Sequence, residues 1–152
     1  MAYVQQFMDE AIRQAKKAAK IGETPVGAVI VREGQIIARG YNKREIKQES
    51  LCHAELAAIH KACKKLGSWR LVGCDLYVTL EPCPMCAGAI IQSRIENVYF
   101  GAYDHKAGCA GSVLDLFQPG LFNHDVRAEG GVCRDICAGL LSEFFRKLRR
   151  KG

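Results

Sequence analysis

Apolar side chains recur at helical spacing over the first twenty residues. Val4, Phe7, Met8, Ala11, Ile12, Ala15, Ala18 and Ala19 form one stripe, with Arg13, Lys16, Lys17 and Lys20 largely outside it. This predicts an amphipathic helix ending near Gly22. After Pro25 the pattern changes to a short unbroken apolar run, Val26-Gly27-Ala28-Val29-Ile30-Val31, as expected of a strand covered on both faces. Glu33-Gly34 makes a turn. Residues 35–39 then read as an antiparallel return strand that carries Gly40-Tyr41-Asn42 to one end of the sheet.

Polar residues 43–50 predict a loop, and Ala54, Ala57, Ala58, Ala62 and Leu66 mark the apolar face of a second helix with His53 at its start. Residues 76–80 and 98–101 read as strands on either side of a helix that opens near Cys83, which suggests a parallel crossover. A Gly-rich loop carrying Tyr103, Asp104, His105 and Lys106 follows, and such loops commonly border sites. Leu114, Leu116 and Phe117 predict a short helix, and residues 126–128 a brief strand. Cys133, Ile136, Cys137, Leu140, Leu141, Phe144, Phe145 and Leu148 fit one last helical stripe, with Phe144 and Phe145 read as core. A basic end, Arg149-Arg150-Lys151, closes the chain.

The 152 residues, 49% hydrophobic and 25% charged, suit one globular domain spanning 1–152. The stretch from Met1 to Glu10 lacks a basic segment followed by an apolar run, so a secretory signal is not expected, and no apolar segment is long enough for a membrane span. Eight cysteines in such a chain read as free thiols or metal ligands in a reducing cytoplasm. The net charge of +6 would suit a polyanionic partner.

The chemistry concentrates in two pieces, His53-Ala54-Glu55 and Pro82-Cys83-Pro84-Met85-Cys86. With Pro84 at the first helical position, Cys83 and Cys86 fall on one face at a helix start, where the dipole favours thiolate, the form that binds metal. A C-x-x-C alone also fits a redox pair, half a structural zinc site or two small core residues. His53 and Glu55 can share a site only where the chain is still entering its helix, because two residues inside a helix turn about 200°. Together the pieces read H-x-E…P-C-x-x-C, the signature of zinc-dependent nucleobase deaminases.

Three ligands, His53, Cys83 and Cys86, leave a fourth zinc position for water, and Glu55 stands ready to carry its proton. A structural zinc would need a fourth ligand, which Cys52, Cys74, Cys109 or the pair Cys133 and Cys137 could offer. Cys133 and Cys137 lie on an apolar stripe, however, and Cys52 is adjacent to His53, so its side chain points away. His60 reads as solvated and His105 as a loop residue. His124 fits either a phosphate contact or a turn.

Beyond the zinc motif, Gly22-Glu23-Thr24-Pro25-Val26-Gly27-Ala28, Asn42, residues 76–88, Phe122-Asn123-His124 and Leu141-Ser142-Glu143-Phe144-Phe145 resemble the bacterial tRNA-specific adenosine deaminases of the cytidine and deoxycytidylate deaminase superfamily. The resemblance covers nearly the whole chain. It implies an α/β fold, a three-layer α/β/α sandwich with a mixed five-stranded sheet. It also implies one zinc per subunit, a homodimer, and conversion of adenosine to inosine at the wobble position of a tRNA anticodon. In that reading Asn42 hydrogen-bonds the flipped base, the Ala54 backbone orients it and Val26 packs on it. Asp104, Lys106, Asn123, His124 and Arg149 are its candidate contacts to flanking nucleotides or phosphates. The alternatives are a free guanine, cytosine or nucleoside deaminase on the same scaffold and a non-catalytic zinc-stabilised RNA-binding module. The chain departs from the family at Leu51-Cys52, where Thr-Ala is usual, and at His105, where proline is common.

Overall fold

The apolar run after Pro25 becomes an interior strand of the sheet, paired on both edges. In the computed structural model, which describes residues 3–151, strand β1 (Gly27–Arg32) lies between β2 (Gln35–Tyr41) and β3 (Cys74–Leu80), antiparallel to both. Met1 and Ala2, which open the amino-terminal stretch read above for a signal, and Gly152 lie outside the described residues. β4 (Asn97–Ala102) then runs parallel to β3, and β5 (Arg127–Glu129) parallel to β4. The order β2-β1-β3-β4-β5 is the mixed five-stranded sheet that the resemblance implied.

Alternation along β1 sorts its side chains into two cores. Ala28 and Ile30 face one layer with Ala54, Ala58 and Ile59 of α3 (Ala54–Leu66) and Ala87 and Ile90 of α4 (Pro84–Gln92). Val29 and Val31 face the other, with Phe7, Met8, Ala11 and Ile12 of α1 (Gln5–Lys20) and Cys137 of α5 (Arg134–Lys151). The fold is therefore a three-layer α/β/α sandwich. Each fully buried Ile or Val contributes about 1.5–3 kcal/mol relative to exposure.

Gly40 lets α3 lie directly on β2. A Cβ there would stand 2.4 Å from the Ala54 carbonyl oxygen and 2.8 Å from the Ala58 nitrogen. The first turn of α3 is thereby held against the sheet.

Three predicted segments differ from the structure. The loop over 43–50 contains a short helix, α2 (Arg44–Lys47), because the buried Glu23 carboxylate accepts the N–H groups of Glu45 and Ile46 at 3.1 and 2.6 Å and stabilises its first turn. Leu114, Leu116 and Phe117 form no helix. Their segment is an irregular loop with a bridge between Ala110 and Asp115, since its backbone donors turn to Glu81, Asp115, Gly108 and Cys109 instead of to one another. The stripe of α5 is helical as predicted, but only Cys137 of it is fully buried. Phe144 is half-buried and Phe145 and Leu148 are exposed, so the core reading of both phenylalanines is corrected: the core takes up Cys137, Ala138, Leu140 and Leu141 of the helix and neither phenylalanine.

Candidate active site

Two helix starts meet where the central strands end. β3 stops at Leu80, and Glu81-Pro82-Cys83 leads directly into α4, with Cys83 as N-cap and Pro84 at the first helical position. His53 is the N-cap of α3, in an extended conformation with φ −86° and ψ 155°. That extended residue breaks the helical angle between positions 53 and 55, so both side chains reach one site although they are two residues apart. β3 has an antiparallel neighbour on one side and a parallel one on the other. A crevice at the carboxyl ends of such strands is a common place for a ligand.

His53 Nδ1 lies 3.6 Å from Cys83 Sγ and 3.5 Å from Cys86 Sγ. Ligands at the usual zinc distances from one tetrahedral centre are separated by roughly 3.5–3.8 Å, which both histidine–cysteine separations match, and all three ligand atoms lie within 4.8 Å of one another. The donor set of the trio, two sulfurs and an imidazole nitrogen, also suits zinc over magnesium or calcium. Cys52, Cys74, Cys109, Cys133 and Cys137 stand outside this cluster, the one metal-competent group among the described residues. Cys52 Sγ turns to the Glu49 carboxylate at 3.7 Å.

The trio shares its protons unevenly. A hydrogen bond from Cys86 holds the Cys83 thiol down to about 4, against the opposing effect of burial and with further help from His53. Cys86 is correspondingly pushed far up by Cys83, by burial and by Glu55. The His53 imidazole is raised, chiefly by its hydrogen bond to Cys83. One thiolate thus draws protons onto both neighbours, a set that a divalent ion would replace.

Glu55, 4% exposed in the first turn of α3, is raised to about 7, mainly by burial. A carboxyl near neutrality can accept and return a proton at working pH. Glu81 is equally buried yet lies below its ordinary range. Burial acts to raise it, but the Ser112 hydroxyl and the N–H groups of Asp104, Ala110 and Ser112 outweigh that effect.

A cavity of about 210 Å³ opens onto these groups. It is smaller than the roughly 300 Å³ at which pockets for drug-sized ligands begin, which suits a single heterocycle with the rest of a larger substrate outside. Val26, Asn42, Ala54 and Asp104, all singled out in the sequence, line it with His53, Glu55 and Cys83. The Asn42 amide is oriented by backbone: Nδ2 donates to the Thr24 carbonyl at 3.2 Å, and Oδ1 accepts from Arg44 N at 3.1 Å. One N–H and one lone pair remain for a ligand.

Lys106, Asn123, His124 and Arg149 are not among the lining residues. Lys106, Asn123 and Arg149 are exposed, and His124 Nε2 meets the Ile95 carbonyl at 2.7 Å. Thr24, Arg44, Leu80, Glu81 and Ala107 line the cavity without having been singled out as site residues. Of these, Glu81 carried a signal: a carboxylate directly after an apolar strand and before Pro82 needs partners.

The profile of the cytidine and deoxycytidylate deaminase zinc-binding region matches residues 1–102. The tRNA-specific adenosine deaminase of Bacillus subtilis (strain 168) is 56% identical over 145 residues, covering 95% of this chain and 90% of the relative. The chain belongs to this deaminase family, in its tRNA-specific adenosine deaminase branch. A solved structure from a study of A-to-I editing by tRNA:A34 deaminases at the wobble position superposes on it with a TM-score of 0.87 at 40% identity. That match covers 91% of this deaminase and 100% of the other chain. A guanine deaminase from Bacillus subtilis matches less of it, with a TM-score of 0.64 at 42% identity over 67% of this chain and 66% of that one. The family's zinc is the ion for which the His53, Cys83 and Cys86 trio is arranged.

Proposed function

We propose that residues 1–152 act as one zinc-dependent deaminase domain that converts adenosine to inosine at the wobble position of a tRNA anticodon. The observation that carries the reading is the small cavity uniting His53, Cys83 and a buried Glu55 with Asn42, in a chain whose relatives over nearly its full length are tRNA-specific adenosine deaminases.

His53, Cys83 and Cys86 would hold the zinc. Bound zinc supplies Lewis acidity, which makes water acidic enough to act as a nucleophile at neutral pH. Glu55 would take a proton from water as the water oxygen adds to C6 of the adenine, and deliver that proton to the adjacent ring nitrogen. It then carries the second proton to the departing amino group, so that adenosine and water become inosine and ammonia. Asn42 offers one donor and one acceptor to the base edge, Val26 packs on the ring and the Ala54 backbone orients it. A base must leave its stack to enter so small a cavity, which single-stranded anticodon nucleotides do at low cost. Asp104, Lys106, Asn123, His124 and Arg149 contact flanking nucleotides or phosphates in this reading. The net charge of +6 supports a polyanionic substrate.

A homodimer in the cytoplasm belongs to the same proposal. Leu51, Val113 and Leu114 are exposed apolar side chains in loops next to the site, surface that a second copy would cover. No helix among the described residues is long and apolar enough to cross a membrane. The match to a guanine deaminase favours a second reading, hydrolysis of a free base in the same cavity.

The test is nucleoside analysis of an anticodon stem-loop bearing adenine at the wobble position, treated with wild type or Glu55→Ala. Inosine from the wild type alone is the expected result. Inosine from both proteins, or from neither with zinc bound, overturns the proposal.

A further inference from the structure

Glu81 sits two residues before the zinc ligand Cys83 and is 1% exposed. No lysine or arginine pairs with it among the described residues. Its charge is met by one loop. Oε1 accepts from Asp104 N at 3.0 Å and from the Ser112 hydroxyl, and Oε2 accepts from Ala110 N at 2.9 Å and Ser112 N at 3.1 Å. The loop is shaped to the carboxylate: a Cβ at Gly108 would stand 2.3 Å from Glu81 Cδ and 2.5 Å from the Asp104 carbonyl oxygen. The neighbouring backbone repeats the join, with Cys109 N donating to Pro82 O at 2.8 Å and Glu81 N to Ala102 O at 2.9 Å.

Both oxygens are acceptors of backbone N–H groups, so only an acceptor-only side chain satisfies the set. In Glu81→Gln one end becomes an NH₂ that must face at least one backbone N–H. The arrangement that loses least keeps oxygen toward Ala110 and Ser112 and turns nitrogen toward Asp104. What the clasp holds is cavity wall: Asp104 and Ala107 line the same space as Glu81 and Cys83, and Asp104 Oδ1 in turn accepts the N–H groups of Lys106 and Ala107. The reacting groups depend on other supports, the first turns of α3 and α4.

We propose that Glu81 is a positioning residue that seats the 104–112 loop as the substrate-side wall of the cavity, governing substrate capture and not the chemical step. The inference deepens the proposed deaminase reading and rests on it for its kinetic part. Its structural part is independent of any substrate.

The test compares Glu81→Gln, Gly108→Ala and Ser112→Ala in the full chain. Zinc content, the KM against kcat split on the wobble-adenine stem-loop, and hydrogen exchange of the amides of Asp104, Ala110 and Ser112 without RNA are measured. Glu81→Gln is expected to keep one zinc and kcat within about threefold, to raise KM about tenfold, and to expose the Asp104 amide to exchange. Gly108→Ala, which wedges the loop with Glu81 intact, raises KM similarly, so the proposal stays testable if Glu81→Gln folds poorly. Ser112→Ala, losing one donor of four, has a smaller effect. Unchanged exchange and KM in both Glu81→Gln and Gly108→Ala would overturn the clasp, as would zinc loss or a kcat collapse at constant KM. If the stem-loop is not a substrate at all, the exchange data still decide the clasp, and the failure belongs to the proposed function.

Discussion

Glu55 and Glu81 are buried carboxyl groups lining one cavity, and their surroundings drive their acidities in opposite directions. Burial dominates at Glu55 and lifts it to about 7, whereas at Glu81 four donors outweigh burial. Environments that push two like groups apart commonly separate a proton carrier from a fixed charge. The division matches the proposed roles, proton transfer for Glu55 and loop positioning for Glu81.

Glu55 should therefore cost stability at high pH. Its folded pKa of about 7 lies above the ordinary 4.5, so the folded chain holds a proton that the unfolded chain releases. Stability falls as pH rises from about 4.5 to 7, and the full penalty, about 3 kcal/mol, is present above that window. In the zinc-free protein Glu55→Gln is expected to raise the melting temperature at pH 8 and to change it little at pH 5. Melting curves at the two pH values check this; an equal shift at both would contradict it.

Turnover should fall with the same residue while metal stays. Loss of a general acid–base group costs on the order of 10²–10⁴-fold in rate. Glu55→Ala is expected to lose at least that in single-turnover inosine formation and to retain one zinc per chain. A variant that loses zinc in step with activity would assign Glu55 to the metal instead.

Three ligands are expected to suffice for zinc. Cys83→Ser should lose the metal, whereas Cys52→Ser and Cys109→Ser should keep one ion per chain by elemental analysis. Stripping zinc from the wild type removes about 4 kcal/mol of stability if free zinc stood a thousandfold above Kd. For a chain of about 150 residues that is a drop on the order of 10 °C in Tm. Zinc loss from Cys52→Ser or Cys109→Ser would point to a four-ligand structural site.

Gly40→Ala tests how firmly the sheet holds His53. The added methyl group meets the Ala54 carbonyl, one residue from the ligand, and backbone cannot yield cheaply. Overpacking of this kind costs about 1–3 kcal/mol. We expect a lower denaturation midpoint together with weaker zinc binding; lower stability with unchanged zinc affinity would show that the first turn of α3 is not positioned by β2.

The zinc site was legible because its constraints are local. Pro84 fixes a helix start beside Cys83, and the pair His53 and Glu55 can converge only at another one. The sheet was legible from Val26 to Val31 and its turn. What escaped depends on partners distant in sequence: α2 is held by Glu23, more than twenty residues upstream, and the 104–112 loop by Glu81. The stripe of α5 was read correctly as a helix but not as an exposed one, because periodicity reveals an apolar face and not what covers it.

Substrate choice is decided by competition between the wobble-adenine stem-loop and free guanine at equal concentration, with products quantified at low and at physiological salt. Inosine at the wobble position alone is expected, at a rate that falls steeply with salt because phosphates contribute to binding. Xanthine and ammonia from guanine, with the stem-loop untouched and no dependence on salt, would contradict the proposed function.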